Sequence, residues 1–450
     1  MRRIASTLWL GLLVLGCDGR ITASDPPEPS IDAQLRQNLA MWGVVPIGDV
    51  SAQDPAQVEL GRALFFDRIL SGNRDISCAT CHHPATSLSD GLSLTVGTGG
   101  TGLGATRTLG KGRQFGPRTA PSLLNAGLGL FYMFWDARLS GSRAGGFRID
   151  SGPPIPSGLP DILAAQAMLP VLNRQEMLGE PGDRDVFGNP NELARFESHQ
   201  STEIWQAVMQ RLIAIPEYAG MFSAAFPGRP ASLLRFEDAA EALAAFEINS
   251  FTRTRSPFDR FLDRDNAALS AEQKRGALLF FGEARCSNCH NGPFLGGQSF
   301  ANVGVPQIGP GVRRNLPLDL GIAEHQNNEF YRFAFRVAPL RNVELTAPYM
   351  HNGAYPTLEA VVRHYDNVPL ALSTYDVSEH APGLSGLVHD DAATISAILE
   401  TLDPRLRTPI DFTDAEQSDI VAFLRALTDP SARDLRSLIP ARVPSGLPVQ

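Results

Sequence analysis

Cysteine is scarce in this chain, with five residues in 450. Four fall in two local patterns of the same form, and the fifth, Cys17, ends the N-terminal apolar segment, so none is left over for a disulfide. Positive charge is also short. Lys and Arg number 39 against 48 Asp and Glu, a formal net charge of −9. That balance argues against a nucleic-acid partner, because such binders neutralise phosphates with a basic surface. Long apolar runs are missing too. The run Ile4 to Leu15, behind Arg2-Arg3, is too short to be a permanent membrane span and has the build of a secretory signal. It ends Val14-Leu15-Gly16-Cys17, which resembles a bacterial lipobox. The expectation is an exported, periplasmic protein that touches the membrane only through a lipid anchor at Cys17. No strand-rich region stands out.

What the chain does have is Cys78-Ala79-Thr80-Cys81-His82 and Cys286-Ser287-Asn288-Cys289-His290. Each reads as a c-type haem attachment site, in which two thiols bind the porphyrin and the adjacent His becomes an iron ligand. A zinc ribbon pairs its Cys-x-x-Cys motifs about 15–20 residues apart. Here more than two hundred residues separate them, and both copies carry a His that a ribbon does not need. A thioredoxin-like redox pair would not explain two copies each ending in His. Two covalently bound haem c groups are therefore expected.

A repeat precedes the motifs. Glu59-Leu60-Gly61-Arg62-Ala63-Leu64-Phe65-Phe66 leads to the first and Arg275-Gly276-Ala277-Leu278-Leu279-Phe280-Phe281 to the second. Asp54-Pro55 and the capping box Ser270/Gln273 open the two copies as helices. Helical spacing also marks 192–226 and 233–262, and Thr413/Glu416 caps a segment whose stripe is Ile420, Phe423, Leu424 and Leu427. Glycine and proline place loops at 91–116 and 141–159. The expected fold is mainly α, with two cytochrome c-like haem domains, long loops and little sheet. The division is a signal peptide with lipobox at 1–17, a tether at 18–50, a peroxidatic domain at 51–265 with an inserted loop near 138–162, an electron-transfer domain at 266–430 and a tail at 431–450.

Further segments carry a resemblance: residues 116–125 (Gly-Pro-Arg-Thr-Ala-Pro-Ser-Leu-Leu-Asn), Phe134-Trp135-Asp136, Asn173-Arg174-Gln175-Glu176-Met177, and residues 341–353 from Arg341 to Gly353. With two haem motifs in this order, the chain resembles the di-haem cytochrome c peroxidase/MauG family over residues 50–430. The resemblance implies that the N-terminal haem reacts with hydrogen peroxide and the C-terminal haem stores or relays electrons. It makes Glu176 the acid/base of the peroxide pocket, Gln166 its companion and Trp135 the relay between haems. Such a carboxylate suits the chemistry, because a proton must leave one peroxide oxygen and reach the other. Calcium, where bound in the family, would take carbonyl donors at Thr346 and Pro348, with Thr119 in place of the usual Asn.

Two departures from the family pattern bear on mechanism. Peroxidases of the family that need prior reduction place a ligand His on the loop before Gly-Pro-Arg. Here that position is Lys111, and no His lies between His83 and Trp135, so an open peroxide site in the oxidised protein is expected. The second haem's distal ligand, a Met in those enzymes, aligns with Tyr365, as in MauG-type members; a phenolate favours the oxidised states. His364 competes with it, and adjacent helical residues point about 100° apart, so only one can face the iron.

The expected activity is a peroxidase-type oxidoreductase that reaches a high-valent di-haem state and oxidises a protein or small-molecule substrate. The alternatives are a cytochrome c peroxidase fed by a small cytochrome c or cupredoxin, and a non-enzymatic electron-transfer lipoprotein. Glu176 with Gln166 speaks against the last, since an electron carrier needs no proton shuttle. The acidic balance suits a basic redox partner.

Overall fold

The computed structural model describes residues 29–449, apart from Ser198 and Asn327. The signal segment and Cys17 lie outside the described residues. Helix accounts for 44% of the structure and sheet for 7%, which makes the fold mainly α, as expected.

Helix α1 (Ile31–Met41) is followed by α2 (Pro55–Phe66), whose N-cap Asp54 accepts from the backbone of Ala56 and Gln57 at 2.8 and 3.1 Å. The first haem motif is a single turn, α3 (Cys78–Cys81). Then come α4 (Ile162–Ala167), α5 (Ser201–Ile213), α6 (Pro216–Ala225), α7 (Phe236–Phe251) and α8 (Pro257–Leu262). Helix α9 (Ala271–Phe280) starts at the expected capping box, with Gln273 donating to Ser270 Oγ at 3.2 Å and Ser270 to Gln273 Oε1 at 2.9 Å. The second half adds α10 (Ala323–Gln326), α11 (Leu358–Asp366), α12 (Val368–Ser373), α13 (Val377–His380), α14 (Ala392–Glu400) and α15 (Asp414–Ala426). The stripe read in α15 is buried, with Phe423 fully so.

Each half centres on one close helix pair. Helix α2 crosses α7, and a Cβ on Gly61 would overlap the Ala242 carbonyl. Helix α9 crosses α15, and a Cβ on Gly276 would overlap the Asp419 carbonyl. The repeated Phe pairs fill the space beside each crossing. Phe65 and Phe66 pack on Phe246, and Phe65 also on Phe251, whereas Phe280 and Phe281 pack on Phe423.

Three stretches differ from expectation. Residues 31–44 are part of the fold and not a tether: Leu35, Leu39 and Val44 are buried in the second core, and the Trp42 indole donates to the Phe281 carbonyl at 3.0 Å. The tail crosses the other way. Leu435, Val443 and Leu447 are buried in the first core, and the Arg62 guanidinium donates to the Leu438 carbonyl at 2.9 Å. Each terminal segment thus covers the domain at the opposite end of the chain. Polar and Pro-rich composition concealed this, because a few spaced apolar residues suffice to anchor a short segment.

The third stretch is the inserted loop near 138–162, which begins as an antiparallel sheet of β1 (Tyr132–Met133), β2 (Leu139–Ser142) and β3 (Gly146–Ile149). Gly141 reads as loop but lies within β2 because a Cβ there would overlap the Gly146 carbonyl of the paired strand. Four two-residue strands form two further pairs, β4 (Phe300–Ala301) with β6 (Phe335–Arg336) and β5 (Gln307–Ile308) with β7 (Val388–His389).

Candidate functional site

The two Cys-x-x-Cys-His turns are built alike. His82 N donates to Cys78 O and His290 N to Cys286 O, both at 2.9 Å, so each His closes its own motif. The side chains repeat this symmetry. His82 Nδ1 meets the Leu88 carbonyl at 3.0 Å, and His290 Nδ1 meets the Leu295 carbonyl at 3.0 Å. A carbonyl only accepts, so Nδ1 carries the proton and Nε2 keeps its lone pair, the tautomer an iron ligand needs. Burial lowers the pKa of both rings, that of His290 to about 4, and so keeps them neutral.

Both motifs open into one cavity of about 1020 Å³ between the two cores. Its lining includes Cys78, Cys81, His82, Cys286, Cys289 and His290. All four thiols are free. Arg336 also lines the cavity, and its buried Nη1 has no hydrogen-bond partner. A buried guanidinium nitrogen left open calls for an anion, and a haem propionate meets that demand. The residues present therefore fit two covalently held haems.

On the first domain's side a few polar side chains reach the cavity. Glu176 sits in the helical turn Arg174–Leu178, which Asn173 caps by accepting from Gln175 N at 2.9 Å. The Asn173 amide also donates to Glu176 Oε1 at 2.8 Å and so fixes the carboxyl. Burial raises the Glu176 pKa, while Arg138 and Asn173 pull it down less strongly. Gln166, on α4, lines the same cavity.

The glycine-rich stretch 91–116 is folded against this turn. Thr98 N donates to Glu176 O at 3.0 Å, and a Cβ on Gly97 would overlap the Gln175 carbonyl. Arg107 gathers the loop by donating to the carbonyls of Val96, Gly97 and Gly102 at 2.7, 2.7 and 3.0 Å. Lys111 is exposed and outside the cavity lining, whereas Gln114 of the same loop lies within it.

Trp135 also lines the cavity, and its indole donates to the Thr119 carbonyl at 3.0 Å. Beside it Asp136 is the hub of a buried charge network. Arg118 pairs with Asp136 at 2.6 Å and holds Asp319 by two bonds of 2.7 and 2.9 Å. His325 Nε2 donates to Asp136 at 2.8 Å. Burial alone would raise the Asp136 pKa, but Arg118, Arg138 and His325 together hold it well below the usual range.

On the second domain's side Tyr365 lines the cavity, and burial raises the pKa of its phenol. His364 is turned away. Its Nε2 donates to the Val303 carbonyl and its Nδ1 accepts from Tyr355 OH, both at 2.8 Å. Met350, Thr346 and Pro348 also line the cavity. The Thr346 hydroxyl donates to the Val343 carbonyl at 3.0 Å, and that of Thr119 to Leu92 at 2.7 Å. Among the described residues no group of three or more His, Cys, Asp or Glu forms a metal site.

The family model of the di-haem cytochrome c peroxidases matches residues 55–267. The cytochrome c551 peroxidase of Pseudomonas aeruginosa is 33% identical over 393 residues, covering 85% of this chain and 91% of that one. The chain belongs to the di-haem cytochrome c peroxidase family. The methylamine utilization protein MauG of Methylorubrum extorquens is 29% identical over 426 residues, covering 94% and 93% of the two chains. Two solved structures share the fold. A MauG-like protein associated with microbial copper homeostasis superposes with a TM-score of 0.58 at 23% identity, covering 87% of this chain and 94% of that one. The diheme peroxidase BthA of Burkholderia thailandensis gives 0.57 at 21%, covering 87% and 93%. This di-haem peroxidase is an enzyme that carries two covalently bound c-type haems and acts on hydrogen peroxide.

Several of the peroxidase's cavity residues escaped the sequence reading. Asn173 is visible in hindsight as the cap of the Glu176 turn. Arg118 and Asp136 lay inside quoted segments but carried no signal of pairing. His325, which has no motif around it, has its side chain buried in the Asp136 network and lines the cavity. Arg336 and Arg138 had no local signature at all.

Proposed function

We propose that this peroxidase works in the MauG-like manner: the fully oxidised protein accepts hydrogen peroxide and passes the oxidising equivalents to an exported protein or a small molecule. The observation that carries the reading is the pair of neighbours on α11. Tyr365 lines the cavity, while both ring nitrogens of His364 are committed elsewhere. The exposed position of Lys111, outside the cavity, supports a first site with no sixth ligand to displace.

The haems supply iron that receives peroxide and the capacity to hold two oxidising equivalents. His82 would hold the first iron, and His290 with Tyr365 the second. Glu176 takes a proton from the inner peroxide oxygen and returns it to the outer oxygen, which leaves as water. Asn173 keeps one Glu176 oxygen oriented, so the other is free for that transfer. Gln166 positions the peroxide from α4. Trp135, its indole fixed to Thr119, relays oxidising equivalents between the two sites.

Export to the periplasm with Cys17 as lipid anchor belongs to this proposal; no described helix is long and apolar enough to cross a membrane. The second reading, peroxide removal with electrons from a small cytochrome c or cupredoxin, draws on the likeness to the cytochrome c551 peroxidase. One experiment separates the two. The visible and near-infrared spectrum of the oxidised holoprotein is recorded before and after one equivalent of peroxide, without reductant. Immediate change at both haems supports the proposal. If nothing happens until one haem is reduced, the second reading stands.

A further inference from the structure

One carboxyl in the first haem site has no part in the scheme above. Glu247 lies on α7, is 6% exposed, and lines the cavity. Its Oε2 is buried without a hydrogen-bond partner. Buried carboxyl oxygens are normally paired, so an open one facing a cofactor cavity marks a group that answers to what occupies it.

The surroundings of Glu247 are nearly free of charge. Helix α2 meets α7 through Gly61 and Phe65, and α5 buries Ile204, Trp205, Val208 and Met209. The titratable neighbours are Asp161 at the N-cap of α4 and, only before haem attachment, the Cys78 thiol on α3. Burial, with a smaller push from Asp161, raises the Glu247 pKa to about 8. Asp161 is half-buried and also lines a separate, more open groove of about 570 Å³ together with Ile248, the residue after Glu247. The open groove thus reaches Asp161 and the residue next to Glu247, while Glu247 itself lines the haem cavity.

We propose that Glu247 is the redox-linked proton site of the first haem, supplied from solvent through Asp161. The net positive charge of the oxidised haem would favour the Glu247 carboxylate over the acid; when that haem gains one electron from a reductant, the carboxylate takes up one proton and becomes the neutral acid. When that electron leaves, the proton returns by the same groove. The charge of the buried site is then the same in both oxidation states, which a low-dielectric interior favours. This role differs from that of Glu176, which moves a proton within the substrate. It rests on the presence of two haems and not on the MauG-like reading.

The test is a potentiometric titration of the holoprotein, with each haem followed by its own absorption, at a series of pH values across the neutral range. In the wild type the first-haem potential is expected to fall as pH rises. In Glu247→Gln, an isosteric neutral variant, that dependence is expected to vanish at the first haem and to be unchanged at the second. Asp161→Asn keeps a capping oxygen but removes the negative neighbour, so the pH at the centre of the dependence moves down. Glu176→Gln keeps the dependence, which separates this proposal from the proton-shuttle assignment. The infrared difference spectrum on reduction should gain a protonated-carboxyl band that Glu247→Gln lacks. A wild-type pH dependence in Glu247→Gln, or the same infrared band in that variant, overturns the proposal.

Discussion

The two haem domains share a scaffold and differ in which side chains they add to the cavity lining. Both use a glycine at a helix crossing, Gly61 of α2 against α7 and Gly276 of α9 against α15, and both follow it with a Phe pair and a His whose Nδ1 is held by a carbonyl. The first domain adds Glu176, Gln166, Gln114 and Arg138 to the cavity lining. The second domain instead supplies Tyr365, apolar residues such as Leu358, Val361 and Val362, and cations such as Arg336 and Arg405, with no carboxylate among the described lining residues. The scaffold is thus a haem holder used twice, and the chemistry comes from segments outside the repeat. A site that breaks a peroxide bond needs a proton carrier within reach, whereas a site that only stores an equivalent does not.

The largest break in this comparison comes from Glu176→Gln. Its reaction with peroxide should slow by about 10²–10⁴-fold, the usual worth of a general acid–base. Stopped-flow absorbance checks this, with the second haem's resting spectrum unchanged. The same residue sets a pH limit. Burial raises the Glu176 pKa above 4.5, and only the carboxylate can accept the first proton. The peroxide reaction should therefore slow as pH falls through that raised value, and Glu176→Gln should lose the dependence.

Next in size are the two crossing glycines. Gly61→Val and Gly276→Val each force apart a helix pair, and overpacking of this kind costs about 1–3 kcal/mol. Thermal unfolding should register the loss, with the first haem's spectrum disturbed in one variant and the second's in the other. An equal disturbance of both haems by either variant would mean that the domains do not fold as separate cores.

A smaller contrast lies within α11. Tyr365→Phe should alter the second haem's spectrum. His364→Phe should leave it intact and cost about 1–3 kcal/mol, because Tyr355 and the Val303 carbonyl lose a buried partner. The reverse pattern would make His364 the ligand. Smallest of all is Lys111→Ala, expected to leave both haem spectra and the peroxide reaction as they are, since the side chain is exposed and outside the cavity.

Local chemistry determined much of this protein in advance. Haem attachment needs five adjacent residues, helix starts need a cap three residues from its partner, and the repeat shows itself by like spacing, so all were legible along the chain. Family likeness added Glu176, Gln166, Trp135 and Tyr365 as candidates. Tertiary structure alone decided which neighbour on α11 faces the cavity, because a difference of one residue turns a side chain about 100° and only packing sets the helix's rotation. It also brought Arg118, Asp136, Asp319 and His325 into one network across 201 residues of sequence between Arg118 and Asp319. The crossing of the terminal segments and the open oxygen of Glu247 belong to the same class. Burial and pairing are properties of neighbours in space, and a chain read in order does not contain them.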